Sequence, residues 1–311
     1  MKTQHTLKTL AALALCTAGA AQAQVTVYGR INLTAEQQKT DTATTKVLQN
    51  NSSRWGIKGS EDLGSGLKAG FQLESGIGAD TGTAASSFWG RQSEINLSGS
   101  FGTLRLGNFT SEAYFATADY ISNHNHDTGT SSDALYAYIG RNGNKLAYRL
   151  PELAKGLSVE AAVSLKEAAA NNTFDLAVNY SLGALALGLG YEKNDQATQF
   201  SARAFYSVGA FGFGAYVQQD KDAWAVKGSR TNLRLTGMYT MGPSEFHVNL
   251  GKAGDIGSAS GTDASQITLG YNHNLSKRTK VYAFYTTFND GSAKSYGGDF
   301  SSLALGVRHN F

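Results

Sequence analysis

Along most of this chain, apolar and polar residues alternate one for one. Leu67, Ala69, Phe71 and Leu73 share one parity, while Lys68, Gln72 and Glu74 share the other. Leu233, Leu235 and Tyr239 oppose Asn232, Arg234 and Thr236 in the same way, and Phe246, Val248 and Leu250 oppose Glu245, His247 and Asn249. A period of two marks a strand whose faces meet different surroundings. Sixteen such segments are predicted, at 24–35, 51–60, 66–77, 88–99, 101–109, 143–150, 156–166, 172–182, 184–193, 198–207, 211–220, 229–241, 243–252, 263–274, 278–288 and 299–311.

The connections alternate in length as well. Those at 61–65, 99–100, 151–155, 183, 207–210, 242 and 275–277 are short, whereas 36–50, 78–87, 110–142, 221–228, 253–262 and 289–298 are long. An even count of strands of about ten residues, with turns on one side and loops on the other, predicts a closed antiparallel transmembrane β-barrel. Sixteen strands enclose an interior too wide for side chains to fill, so the polar parity faces water. The last segment alternates through to Phe311. In lipid such a strand must pair with the first one, because no edge can be left open there.

The ends and the composition narrow the reading further. Lys2 and Lys8, the apolar run 10–16 and Ala21-Gln22-Ala23 form the pattern of a secretory signal over residues 1–23. Residues 24–311 then read as one domain. Cys16 is the one cysteine, and bulky Leu15 before it argues against a lipoprotein site. Without that segment there is no disulfide or thiol chemistry. The formal charge of +3 falls to +1 when Lys2 and Lys8 leave, so charge points to no nucleic-acid partner. No apolar run in 24–311 is long enough for a membrane helix.

Catalytic and cofactor motifs are absent from the sequence. There is no Gly-x-Ser-x-Gly elbow, His-Glu-x-x-His helix or phosphate-binding Gly-Lys-Ser loop. His124 and His126 make a lone His-x-His, which is more often solvated than metal-bound, and Asp290-Gly291 reads as turn chemistry. The expectation is therefore no enzyme, no cofactor and no metal. A barrel hydrolase and a structural anchor or adhesin are the rival classes.

By parity Arg30, Lys58, Lys68, Arg105, Lys145, Arg149, Arg203, Arg234 and Arg308 line the lumen together with Arg54. The acids of that parity are Glu74, Glu94, Glu160, Asp175 and Glu245. An excess of basic groups in a narrow aqueous pore enriches anions.

The stretch Ser53-Arg54-Trp55-Gly56-Ile57-Lys58-Gly59-Ser60-Glu61-Asp62-Leu63-Gly64-Ser65-Gly66-Leu67-Lys68-Ala69-Gly70-Phe71-Gln72-Leu73-Glu74-Ser75-Gly76 resembles the second and third strands of the trimeric general-diffusion porins of Gram-negative outer membranes. Gly90-Arg91-Gln92, Leu97-Ser98-Gly99-Ser100-Phe101-Gly102-Thr103 and Tyr271-Asn272-His273-Asn274-Leu275-Ser276-Lys277-Arg278-Thr279 resemble the same family. The resemblance runs from Val25 to Phe311. It implies a homotrimer in outer-membrane lipid and lipopolysaccharide, passing small inorganic and organic anions. It also implies that the third external loop, about 110–142, folds inward. Arg54, Arg91 and Arg141 fall where anion-preferring members carry the basic side of the constriction. Asp119, Asp127 and Asp133 of the loop would face them. Arg91 shares the parity of lipid-facing Ile95 and Leu97, so either a bulge shifts the register or Arg91 lies above the membrane.

Overall fold

A computed structural model describes residues 24–121, 135–167 and 171–311. The signal expected at 1–23, the His124/His126 pair, Asp127 and Asp133 all lie outside the described residues. In chain order the strands are β1 (Gln24–Thr40), β2 (Thr44–Asn50), β3 (Arg54–Gly64), β4 (Leu67–Gly78), β5 (Thr83–Ala84) and β6 (Gln92–Gly99). Next come β7 (Gly102–Asn108), β8 (Lys145–Arg149), β9 (Leu157–Ser164), β10 (Thr173–Leu182), β11 (Leu185–Asn194) and β12 (Ala197–Val208). The last six are β13 (Phe211–Lys221), β14 (Ser229–Met241), β15 (Ser244–Ala253), β16 (Ala264–Asn274), β17 (Thr279–Asp290) and β18 (Phe300–Asn310). The two-residue β5 belongs to a loop, and β2 and β3 run end to end against β1, which leaves sixteen wall strands. All pair antiparallel, and β1 meets β18 to close the barrel.

The closing seam reaches the last residue. Gly29 and Phe311 exchange two backbone hydrogen bonds of 3.0 Å. A Cβ on Gly29 would stand 2.3 Å from the Phe311 ring, so only glycine leaves room for the terminal aromatic. Closure satisfies backbone groups that lipid could not.

Burial is inverted relative to a soluble protein. Along β13, Phe211, Phe213, Ala215 and Val217 are exposed, while Gly212, Gly214, Tyr216, Gln218 and Asp220 are buried. Along β14, exposed Leu233 and Leu235 alternate with buried Arg230, Asn232 and Arg234. The apolar face is therefore the outer one, as membrane contact requires. Phe211, Tyr239, Phe246 and Tyr271 form a ring-to-ring girdle across four neighbouring strands, with centroids 4.9, 6.3 and 5.2 Å apart. Such aromatic belts sit at the membrane–water boundary.

One expected loop is strand instead. Residues 36–50 form the upper parts of β1 and β2, which pair from Leu33↔Asn50 to Lys39↔Thr44 and turn at 41–43. The alternation fades there because Gln37, Lys39, Thr44 and Lys46 are polar on the outward parity too. The strand pairing itself persists without an apolar face.

Candidate functional site

Of the longest connection, between β7 and β8, the described limbs at 109–121 and 135–144 pack against inward-facing residues of the barrel wall. Ser111 caps its first turn by accepting from the Ala113 amide at 3.1 Å. A short helix, α1 (Glu112–Tyr114), then widens into a π-helical turn, Phe115–Asp119. Ala113, Ala116, Thr117 and Ala118 are its buried face. Opposite them stand Gly188 and Gly190 of β11. A Cβ at these positions would lie 2.1 Å from the Ala116 carbonyl oxygen and 2.9 Å from that of Ala113. Wall glycines thus let the loop backbone lie directly on the sheet.

Polar wall residues complete the seat. Arg203 Nε donates to the Ala116 carbonyl at 2.7 Å, and its guanidinium lies 3.6 Å from the centre of the Tyr120 ring. The Gln218 amide accepts from Ala137 N at 3.0 Å and donates to Ala137 O at 3.2 Å. Asn194 donates to Ile139 O at 2.9 Å, and Arg230 donates to Leu135 O at 3.3 Å. Arg230 is itself packed 3.9 Å from the Trp224 ring, ion-paired with Asp220 at 3.5 Å and hydrogen-bonded to the Tyr296 hydroxyl. At the start of the loop an ionic ladder runs across the wall. Glu112 meets Arg149 at 3.0 Å, and Arg149 meets Glu160 at 3.0 Å. Arg105 joins Glu160 at 2.8 Å to Glu94 at 2.9 Å.

A second stretch of wall, β17, β18, β1, β3 and β4, carries Arg30, Arg54, Arg308 and Lys280, all only half-buried. Arg30 and Arg54 each lie within electrostatic reach of Arg91 and Arg308, and Arg54 within reach of Arg30. Glu74 serves two of them, at 2.6 Å from Arg91 and 3.9 Å from Arg54, and accepts from Tyr28 at 2.9 Å. Lys280 is the register partner of Arg308 and stands 3.8 Å from Glu245. Asp119, on the loop, is within electrostatic reach of Arg54. Among the described residues, the lumen therefore sets a group of arginines within reach of the loop carboxylate of Asp119.

The structure sorts the residues expected from sequence. Asp119 lies within electrostatic reach of Arg54, as do Arg30 and Arg308. Arg91 reaches Glu74 without a bulge, because β6 begins at Gln92 and runs in unbroken register with β4; Arg91 sits in the bend just before it. Arg141 is not brought into this group: its guanidinium donates to the carbonyls of Ser164, Leu165 and Asn171 at 2.7, 2.6 and 3.0 Å, which fastens the loop's exit. Lys145, Arg203 and Arg234 have the expected parity but do not line open water. Lys145 is buried with Asp175 at 3.1 Å, and Arg203 and Arg234 lie beneath Tyr120 and Tyr136. Lys58 and Lys68 are exposed on β3 and β4, with Lys58 5.2 Å from the Tyr28 ring centre. Sequence reading missed Arg230 and Lys280, although Arg230 shares the parity of Arg234, and Lys280 that of the inward-facing Tyr282 and Phe284.

The chain matches the family model described as Gram-negative porin over residues 9–293. It belongs to that family. The porin is 29% identical to outer membrane porin protein 32 of Delftia acidovorans, over 94% of this chain and 92% of the relative. It is 30% identical to the major outer membrane protein P.IB of Neisseria meningitidis over the full length of both. Among solved structures, the anion-selective porin from Comamonas acidovorans superposes with a TM-score of 0.79 at 25% identity, covering 93% of this chain and all of that one. Salmonella typhi OmpF shares the fold, with a TM-score of 0.74 at 17% identity over 93% of this chain and 98% of that one. The porin is an outer-membrane protein of a Gram-negative bacterium.

Proposed function

We propose that this porin passes ions and small hydrophilic solutes by passive diffusion, prefers anions, and works as a homotrimer in outer-membrane lipid. The supporting observation is the group Arg30, Arg54, Arg91 and Arg308 facing the lumen opposite Asp119. Basic charge at the narrowest water acts most strongly, because screening is weakest there. Arg54 and Arg91 form the basic side of the constriction, and Arg141 contributes by holding the loop. Asp119, Asp127 and Asp133 supply the facing carboxylates. Residues 1–23 are a cleaved signal and 24–311 the barrel.

The test is a planar-bilayer recording across a potassium chloride gradient. The expected reversal potential lies on the anion side, and Arg54→Glu together with Arg91→Glu moves it towards cations. A wild-type channel that already favours cations would overturn the sign of this reading. The rival reading, a barrel hydrolase, requires ester or peptide turnover that disappears with one nucleophile; conductance without turnover counts against it.

A further inference from the structure

The seated loop presents more than charge to the lumen. In the π-helical turn, Ala116, Thr117 and Ala118 face the wall, while Phe115 and Asp119, one turn apart, face away from it. Phe115 is 42% exposed and Tyr138, from the loop's returning limb, 57% exposed. Tyr114 lies between them, with ring centres 5.7 Å from Phe115 and 5.0 Å from Tyr138. Large apolar rings turned towards water on an otherwise well-packed element mark a contact surface. Asp119 on the same turn reaches the field of Arg54. The loop thus presents an aromatic surface on the same turn as the carboxylate that reaches the field of Arg54.

We infer that this constriction selects planar aromatic carboxylates over aliphatic anions of similar charge. The inference rests on the anion-preferring reading above and names its solute class. A carboxylate meets the planar fork of Arg54 or Arg91 through paired hydrogen bonds. The attached ring lies against Phe115 and Tyr138 in edge or offset contact, and its other face is available to a guanidinium. An aliphatic carboxylate gains the first contact and not the second. A neutral aromatic gains the second without the first, and is not drawn in by the field.

Single-channel recordings of the full protein in potassium chloride test this, with sodium benzoate, sodium acetate and benzyl alcohol added in turn to the bath. Benzoate is expected to reduce the open-channel current at a concentration roughly two- to tenfold lower than acetate, the factor one aromatic contact supplies. Benzyl alcohol at the same concentration is expected to have no effect. Phe115→Leu, which keeps an apolar side chain of similar bulk, should bring benzoate to the acetate level, as should Tyr138→Leu. Both side chains are exposed, so these variants fold. Equal block by benzoate and acetate in the wild type would overturn the inference while anion preference stands. Unchanged benzoate block in both variants would overturn it as well. A cation-selective wild-type channel would instead remove the reading on which it rests.

Discussion

Two stretches of the same barrel wall use the same kind of residue to opposite ends. On β9–β14, Arg203, Arg230 and Arg234 are buried under the loop and spend their guanidinium groups on its backbone carbonyls and aromatic rings. On β17, β18, β1, β3 and β4, Arg30, Arg54 and Arg308 stay half-exposed and lie close to one another, with Glu74 as a shared partner for Arg54 and Arg91. In the first stretch, desolvation makes each cation depend on its partner, so it acts as a fastener. In the second, charge remains in water and acts at a distance. Inward-pointing arginines are thus not one class, and counting them overstates the charge that a passing ion meets.

The comparison breaks most visibly if buried and open cations cost the same to remove. Lys145→Met leaves Asp175 charged and buried without its partner, so unfolding in detergent should become easier by about 3–5 kcal/mol. Arg54→Met, at a position still in contact with lumenal water, should cost less than Lys145→Met, and equal losses in a denaturant titration would erase the distinction. Next in size, Gly188→Leu forces a side chain into the Ala116 carbonyl, an overpacking worth about 1–3 kcal/mol. The expected result is a displaced loop and a higher single-channel conductance; an unchanged conductance would mean that the seat does not depend on this contact. Selectivity should separate the two walls next. Arg54→Glu moves the reversal potential towards cations, Lys68→Glu moves it less, and Arg203→Gln leaves its sign unchanged.

The smallest effect concerns the outer mouth. Lys294 bridges Asp299 at 3.0 Å and Asp41 at 3.5 Å, tying the last external loop to the first. The Asp290 amide and then the Lys294 ammonium hold the Asp299 carboxyl below its ordinary value, and Asp299 raises Lys294. A depressed carboxyl keeps its contribution above its ordinary value and loses it as pH falls through the lowered one. Proteolysis of residues 291–299 should therefore be unchanged at mildly acidic pH and increase only below the usual carboxylate range. At the alkaline end the tie persists until pH rises through the elevated value of Lys294. Enhanced cleavage already near neutrality would show that the tie does not hold the loop.

Much of the fold was legible because membrane and water impose opposite demands on the two faces of each strand. The count of sixteen wall strands follows from that alternation alone. It fails at 36–50, where the hairpin has polar residues on both faces and pairing continues unseen in the pattern. Within the site, position in the sequence put Arg54 and Asp119 in the same part of the barrel, and the structure has Asp119 within electrostatic reach of Arg54. Arg141 was not, since a family position fixes the Cα and says nothing of the three carbonyls that take up its guanidinium. Lys145, Arg203 and Arg234 were placed on the correct face. Parity cannot show that a loop distant in sequence covers that face. A signal was nonetheless present: Gly188, Gly190, Gly214 and Gly251 are inward-facing glycines where the loop packs, and each marks a place where something must come close.

The seat beneath the loop addresses main chain more than side chains. Arg203 reads the carbonyl of Ala116, Gln218 both backbone groups of Ala137, Asn194 the carbonyl of Ile139, and Gly188 merely makes room. Every residue in the loop has those groups, whatever its side chain. The barrel therefore works as a socket that accepts many inserts of one backbone path. Positions such as 115 and 138, which turn away from the socket, are left to drift or adapt without loosening it. A lineage can retune what its outer membrane admits by exchanging a few exposed loop residues, while the sixteen strands that carry them stay as they are.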